Sequence, residues 1–142
     1  KVSNINKERF NLDNVNLYKG DLFQGIEELG LEGGFHIIAS NPPYIPKREI
    51  ETLQTEVKDY EPMSALDGGE DGLIFYRKII PEARKYLKQG GLLIFEIGYD
   101  QGKVVDDILI EEGFKDTKTL KDLQGLDRGF LDKGVVFNEF VI

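Results

Sequence analysis

Four residues, Asn41, Pro42, Pro43 and Tyr44, follow the apolar run Phe35 to Ala39 after one serine, Ser40. Each proline fixes its own φ and drives the residue before it toward extended backbone, so Asn41 and Pro42 are held out of the helical region before anything binds. Neither proline has an N–H. The Pro42 carbonyl is therefore left as an acceptor beside the side-chain amide of Asn41. Two acceptors converging on one point suit a planar NH2 group. Such a nitrogen is a poor nucleophile because its lone pair is delocalised, and holding both hydrogens directs what remains of that pair along one line. Displacement at a methyl carbon needs in-line approach at about 3 to 3.5 Å, and positioning of this kind lowers a barrier appreciably. The Tyr44 ring adds an electron-rich face that can stack on a planar group or attract a cationic sulfonium donor. The chemistry indicated is N-methylation of a planar NH2 group. The plain alternative is a proline-rich strand exit that turns the chain, with Tyr44 covering core.

The elements that must position these residues are legible in outline. Val2 to Leu12 carries a weak helical period, Val15 to Tyr18 alternates as a short strand, and Gly20 to Phe23 reads as a loop. Phe35 to Ala39, bounded by Gly34 and Pro42, has the length of a strand buried on both faces. Lys47 to Asp71 reads as a partly helical excursion. Leu73, Tyr76, Ile80, Ala83 and Leu87 follow the rhythm of an amphipathic helix, with Asp71 to cap its start, Gly90 and Gly91 to end it, and Pro81 predicting a kink or break. Leu92 to Ile97 is a second buried strand. Val104, Val105, Ile108 and Leu109 mark a helix stopping at Gly113, and Phe114 to Leu120 and Val135 to Val141 read as strands, with a turn at Asp132 to Gly134. Alternating strands and helices imply a parallel-rich α/β sheet with an antiparallel hairpin at its end, and open sheets of this kind place ligands at the carboxyl ends of their strands.

Composition removes several function classes. The chain has 142 residues, one domain's worth, with 40% hydrophobic and 31% charged residues, as in an ordinary globular domain. A net charge of -8 disfavours salt-driven grip on a nucleic-acid backbone. There is no cysteine and one histidine, His36, so disulfides, thiolate metal sites and multi-histidine cages are out. No apolar stretch is long enough for a membrane helix and no signal peptide opens the sequence, so a cytoplasmic setting is the expectation.

In chain order, GDLF at Gly20 to Phe23, NPPYIP at Asn41 to Pro46, YEPMSALDGGED at Tyr60 to Asp71, GLIFYR at Gly72 to Arg77, EIGYDQG at Glu96 to Gly102 and LKDLQGLDR at Leu120 to Arg128 resemble the HemK-like family. These are the protein-(glutamine-N5) methyltransferases that modify peptide-chain release factors. The resemblance runs from about Asn14 to Arg128. It implies a Rossmann-like class I fold that uses S-adenosyl-methionine, and a class 1 release factor as partner, methylated on the glutamine of its Gly-Gly-Gln loop. By the same resemblance, Asn41 and the Pro42 carbonyl accept from the glutamine NH2, and Pro43 and Tyr44 complete the substrate pocket. Asp21 and Leu22 contact the adenine of the cofactor, and Asn41 lies beside its methionine part.

Two departures accompany the resemblance. The family's glycine-rich loop after the first strand, and the acidic residue after the second that holds the ribose, have no counterpart. Residues 1–142, which open on Lys1 rather than methionine, are thus expected to be a partial catalytic domain, truncated at its N-terminal side, that binds S-adenosyl-methionine weakly or not at all by itself. The Gly68, Gly69 and Gly72 cluster follows no strand and reads as a turn into the next helix. The tail from Gly129 to Ile142 also departs from the family ending.

Other residues have plainer readings. His36 is expected in the core or at its rim, Glu96 either faces the site or is a hydrogen-bonded structural carboxylate, and Lys47 and Arg48 are an exposed pair. Asp106, Asp107, Glu111 and Glu112 form a solvated helix face. Two rival functions stay open: adenine-N6 methylation of nucleic acid, which uses similar motifs, and a non-catalytic fragment that self-associates through an unpaired sheet edge.

Overall fold

The computed structural model describes residues 1–53 and 61–132. It divides into two compact units, Lys1–Leu31 and Glu32–Ile142. In the first, α1 (Val2–Arg9) buries no residue, and Lys7 and Arg9 in its last turn complement the negative end of the helix dipole. Residues 15–18 form no strand. Alternation alone does not make one: no other segment among the described residues offers a ladder to them. A turn follows, in which Gln24 N–H donates to the Asp21 carbonyl at 3.1 Å and Leu22 sits at φ 51°.

The second unit is a mixed α/β sheet. Its strands are β1 (Phe35–Ser40), β2 (Leu87–Glu96), β3 (Thr117–Lys121) and β4 (Asp127–Asp132), ordered β1-β2-β4-β3. β1 and β2 are parallel, and the chain between them passes through α2 (Lys47–Ile50), α3 (Met63–Leu66) and α4 (Ile74–Tyr86). α5 (Gly102–Glu111) leads to β3, and β3 and β4 form an antiparallel hairpin that closes the far side of the sheet.

The sequence places the core correctly but not the outermost strand. Leu92, Leu93, Phe95 and Ile97 are buried along β2 and just beyond it, against Tyr76, Ile79, Ile80 and Ala83 of α4 and Val105 and Leu109 of α5. The Tyr76 and Phe95 rings meet edge to face at 5.3 Å, a geometry aromatic quadrupoles favour. Burying a side chain such as Phe95 stabilises the fold by about 1.5 to 3 kcal/mol. β1, expected to be covered on both faces, is instead an edge strand among the described residues, with His36, Ile37 and Ala39 exposed. Its apolar run is therefore no sign of two-sided burial within this chain.

Several boundaries differ for physical reasons. α4 ends at Tyr86, and Gly90 and Gly91 lie within β2, where the register jumps from Phe35 opposite Leu87 to Ile37 opposite Leu92. The glycine pair serves a bulge instead of a helix stop. α4 also runs unbroken through Pro81. The carbonyl deprived of its partner is that of Arg77, an exposed residue. Asp71 does not cap the helix as expected: the N-cap is Leu73, which makes no side-chain cap bond, and Asp71 instead closes the turn before it by accepting from the Leu73 N–H at 3.1 Å. A hairpin is present at the sheet end, and among the described residues it pairs Thr117–Lys121 with Asp127–Asp132, a strand the sequence reading did not name. The turn at 133–134, the strand at 135–141 and Tyr60 lie outside the described residues.

Candidate functional site

Parallel pairing sets the site. Ser40 on β1 lies opposite Phe95 on β2, so residues 41–44 and Glu96 leave the sheet together at its carboxyl edge. Pro42 is buried and anchors the exit, Pro43 and Tyr44 are half-buried, and Asn41 is exposed. No described residue donates to the Pro42 carbonyl or bonds the Asn41 side chain. Both acceptors named from the sequence are thus without a partner among the described residues.

The Tyr44 ring is fixed at its far end. Its hydroxyl donates to Glu96 Oε1 at 3.1 Å, while the Tyr76 hydroxyl donates to the Glu96 main-chain carbonyl at 2.8 Å. Burial first, and then the Glu96 carboxylate, push the Tyr44 phenol above its ordinary range, and Arg128 opposes them more weakly. Tyr44 is therefore a neutral donor at physiological pH. Of the two readings of Glu96, the hydrogen-bonded carboxylate is the one seen, and its partner is the Tyr44 hydroxyl.

Behind Tyr44 the chain is laced to the glycine-rich segment. Ile45 N–H donates to the Leu66 carbonyl at 3.1 Å, Gly68 N–H to the Ile45 carbonyl at 2.9 Å and Lys47 N–H to the Gly69 carbonyl at 2.9 Å. A Cβ on Gly68 would lie 2.9 Å from Tyr44 Cα, and one on Gly72, at φ 76°, would fall on the Tyr44 carbonyl oxygen. These glycines do more than turn the chain into α4: they let two backbones approach where any side chain would separate them. The carboxamide of Gln101 completes the lacing, donating to the Tyr44 carbonyl at 2.9 Å. Sequence reasoning singled out neither Gly72 nor Gln101 for this role, although both lie in motifs it quoted. The detectable signal was a glycine-dense turn following no strand.

The remaining candidates fall elsewhere. Asp21 and Leu22 belong to the first unit, both exposed, and the Asp21 carboxylate has no partner among the described residues. His36 is exposed on β1, its Nε2 3.1 Å from Lys88 Nζ, which makes it a rim residue rather than a core one. Lys47 and Arg48 are exposed, as expected. On α5 the acidic face is not wholly solvated: Asp106 is half-buried and accepts from the Thr117 hydroxyl. No group of metal-ligating side chains occurs among the described residues, and no helix there is long and apolar enough to cross a membrane.

Comparison with known proteins gives a consistent result. No protein-family model matches the chain. The release factor glutamine methyltransferase of Clostridium acetobutylicum is 49% identical over 129 residues, covering 90% of this chain and 45% of that protein. The protein of the same name from Thermodesulfovibrio yellowstonii is 46% identical over 128 residues, and that from Fusobacterium nucleatum is 42% identical over 136, or 96% of this chain. The chain spans less than half the length of these relatives.

Proposed function

We propose that this chain, similar over nine-tenths of its length to release factor glutamine methyltransferases, binds the glutamine side chain of a Gly-Gly-Gln loop in a class 1 peptide-chain release factor. It presents the amide nitrogen of that side chain for methylation, as a cytoplasmic enzyme. The observation that carries the reading is that Asn41 Oδ1 and the Pro42 carbonyl, two successive acceptors, have no partner among the described residues, on a backbone pinned by two prolines and by the lacing behind Tyr44. Each acceptor takes one hydrogen of the carboxamide NH2, so the nitrogen is turned with its residual lone pair outward. Pro43 and the Tyr44 ring supply the apolar wall on which the planar amide rests. Glu96 is engaged by the Tyr44 hydroxyl, which suits a ring-holding role rather than that of a base.

S-adenosyl-methionine, when bound, supplies an electrophilic methyl on a sulfonium. The chain's own residues fit parts of that group. In the first unit, taken by itself, the exposed Asp21 carboxylate can accept from an exocyclic amine such as that of adenine, beside the exposed Leu22; in the second, the exposed Asn41 side chain offers hydrogen bonds of the kind the methionine part needs.

The net charge of -8 favours a protein acceptor over a nucleic acid. Because the chain covers 45% of the Clostridium relative, the test exchanges it for the matching segment of that protein. The chimera is then offered radiolabelled S-adenosyl-methionine with a Gly-Gly-Gln release-factor domain and, in parallel, with adenine-containing oligonucleotides. Label on the protein domain is the expected result. Label on nucleic acid alone would make the acceptor adenine.

A further inference from the structure

Gln101 is buried, 6% exposed. Its carboxamide is fully used. Oε1 accepts the Gly98 N–H at 3.0 Å, and Nε2 donates to the Tyr44 carbonyl at 2.9 Å and to the Gly72 carbonyl at 3.4 Å. Three separate stretches meet on this one group: the exit of β1, the turn before α4 and the turn after β2. Gly72 and Gly98 are glycines where it sits, and a Cβ at either would press on the Gln101 carboxamide.

We propose that Gln101 is a positioning residue for the acceptor loop. By gripping the Tyr44 carbonyl it fixes the orientation of the peptide chain that carries the Pro42 carbonyl and Asn41 toward an incoming amide. This rests on reading residues 41–44 as the amide-binding loop. The reasoning is one of satisfiability. The Tyr44 and Gly72 carbonyls and the Gly98 N–H need partners of opposite kinds at one buried point, and a primary carboxamide offers one acceptor and two donors. An apolar side chain would leave all three groups unpaired, and a carboxylate would set its oxygens against two carbonyls.

The test uses the 142-residue chain, Gln101→Met and Gln101→Glu, followed by amide hydrogen exchange and by NMR titration with a Gly-Gly-Gln peptide. Gln101→Met is expected to speed exchange at Gly98 and Ile45. Gln101→Glu, which keeps the acceptor and loses the donor, is expected to leave Gly98 protected while loosening Ile45. Both variants are expected to weaken peptide binding about tenfold, a change equivalent to one lost buried hydrogen bond, with Leu93 and Ile97 protected as before. Unchanged exchange at Ile45 and unchanged peptide affinity would overturn the proposal. So would loss of protection at Leu93 along with the rest in both variants, because Gln101 would then hold the fold and not the loop. If the unsubstituted chain does not bind the peptide, the reading of the loop fails on its own, and the exchange pattern still decides whether Gln101 positions it.

Discussion

The Tyr44 hydroxyl donates to Glu96 Oε1 across 3.1 Å, joining two residues 52 positions apart in sequence at the carboxyl ends of adjacent parallel strands. The bond ties the ring that walls the site to the sheet that supports it. Tyr44→Phe is expected to lower stability by about 1 to 2 kcal/mol, since a half-buried carboxylate loses a donor. Glu96→Gln, which keeps an acceptor at the same place, should cost less than Glu96→Leu. Urea unfolding of the three variants checks the order, and equal losses for Gln and Leu would contradict it.

Alkaline pH should weaken the fold through its tyrosines. Tyr76 is buried, and its phenol is pushed far above the ordinary 10.0, mainly by desolvation and then by Tyr44 and Glu96; Tyr44 is raised as well. A phenol with a raised folded-state pKa contributes its stability fully below the unfolded value and loses it as pH climbs toward the folded one. Stability is therefore expected to fall above pH 10.0. Tyr76→Phe should flatten that fall while costing stability at neutral pH. Melting temperatures from pH 8 to 11 would show it, and an identical alkaline slope in the variant would refute it.

Gly72 and Gly33 both have positive φ, 76° and 61°, but differ in surroundings. A Cβ on Gly33 meets nothing within 4 Å, whereas one on Gly72 meets the Tyr44 carbonyl and the Gln101 amide. Gly33→Ala should cost only the left-handed backbone penalty, about 1 to 2 kcal/mol. Gly72→Ala adds a clash with main chain and should cost on the order of 3 kcal/mol or more. Equal destabilisation of the two would show that the lacing behind Tyr44 is slack.

Asp71 accepts from the Leu73 N–H in the turn before α4 and from both terminal nitrogens of Arg77, at 3.1 and 2.7 Å. The Arg77 guanidinium holds its carboxyl below the ordinary value of 3.8. A depressed carboxyl contributes stability above the unfolded pKa and loses it as pH falls through the folded one, so this contribution should vanish below pH 3.8. Both side chains are about half exposed, so Asp71→Asn is expected to cost only about 0.5 kcal/mol, and less in high salt. A loss several times larger, insensitive to salt, would place the pair in the core energetics.

Local chemistry made the candidate segment readable, while tertiary contacts were hidden. Asn41 to Tyr44 could be found because proline geometry acts within a few residues, and Leu73 to Tyr86 because helical period does too. What Gly68 and Gly72 do could not be read from their neighbours, since the surface they approach is the backbone of Tyr44, more than 20 residues earlier. Residues 15–18 alternate like a strand, but a strand exists only with a partner. β1 misled for a related reason: an apolar run reports what should be covered, not which element of this chain covers it. β4 was not foreseen because it begins inside the polar stretch after Leu126, where Asp122 accepts from the Gln124 and Leu126 N–H groups and closes a turn.

The claim that the acceptor loop grips both hydrogens of a glutamine carboxamide can be observed at the nitrogen itself. A Gly-Gly-Gln peptide labelled with 15N at the side chain, titrated with the 142-residue chain, should show both amide protons moving downfield, with nuclear Overhauser contacts to the Tyr44 ring. Asn41→Ala should remove the shift of one proton and leave the other. If the side-chain amide signals do not move, or if they move equally with Asn41→Ala, the carboxamide is not held by Asn41 and the Pro42 carbonyl, and the account is wrong at its centre.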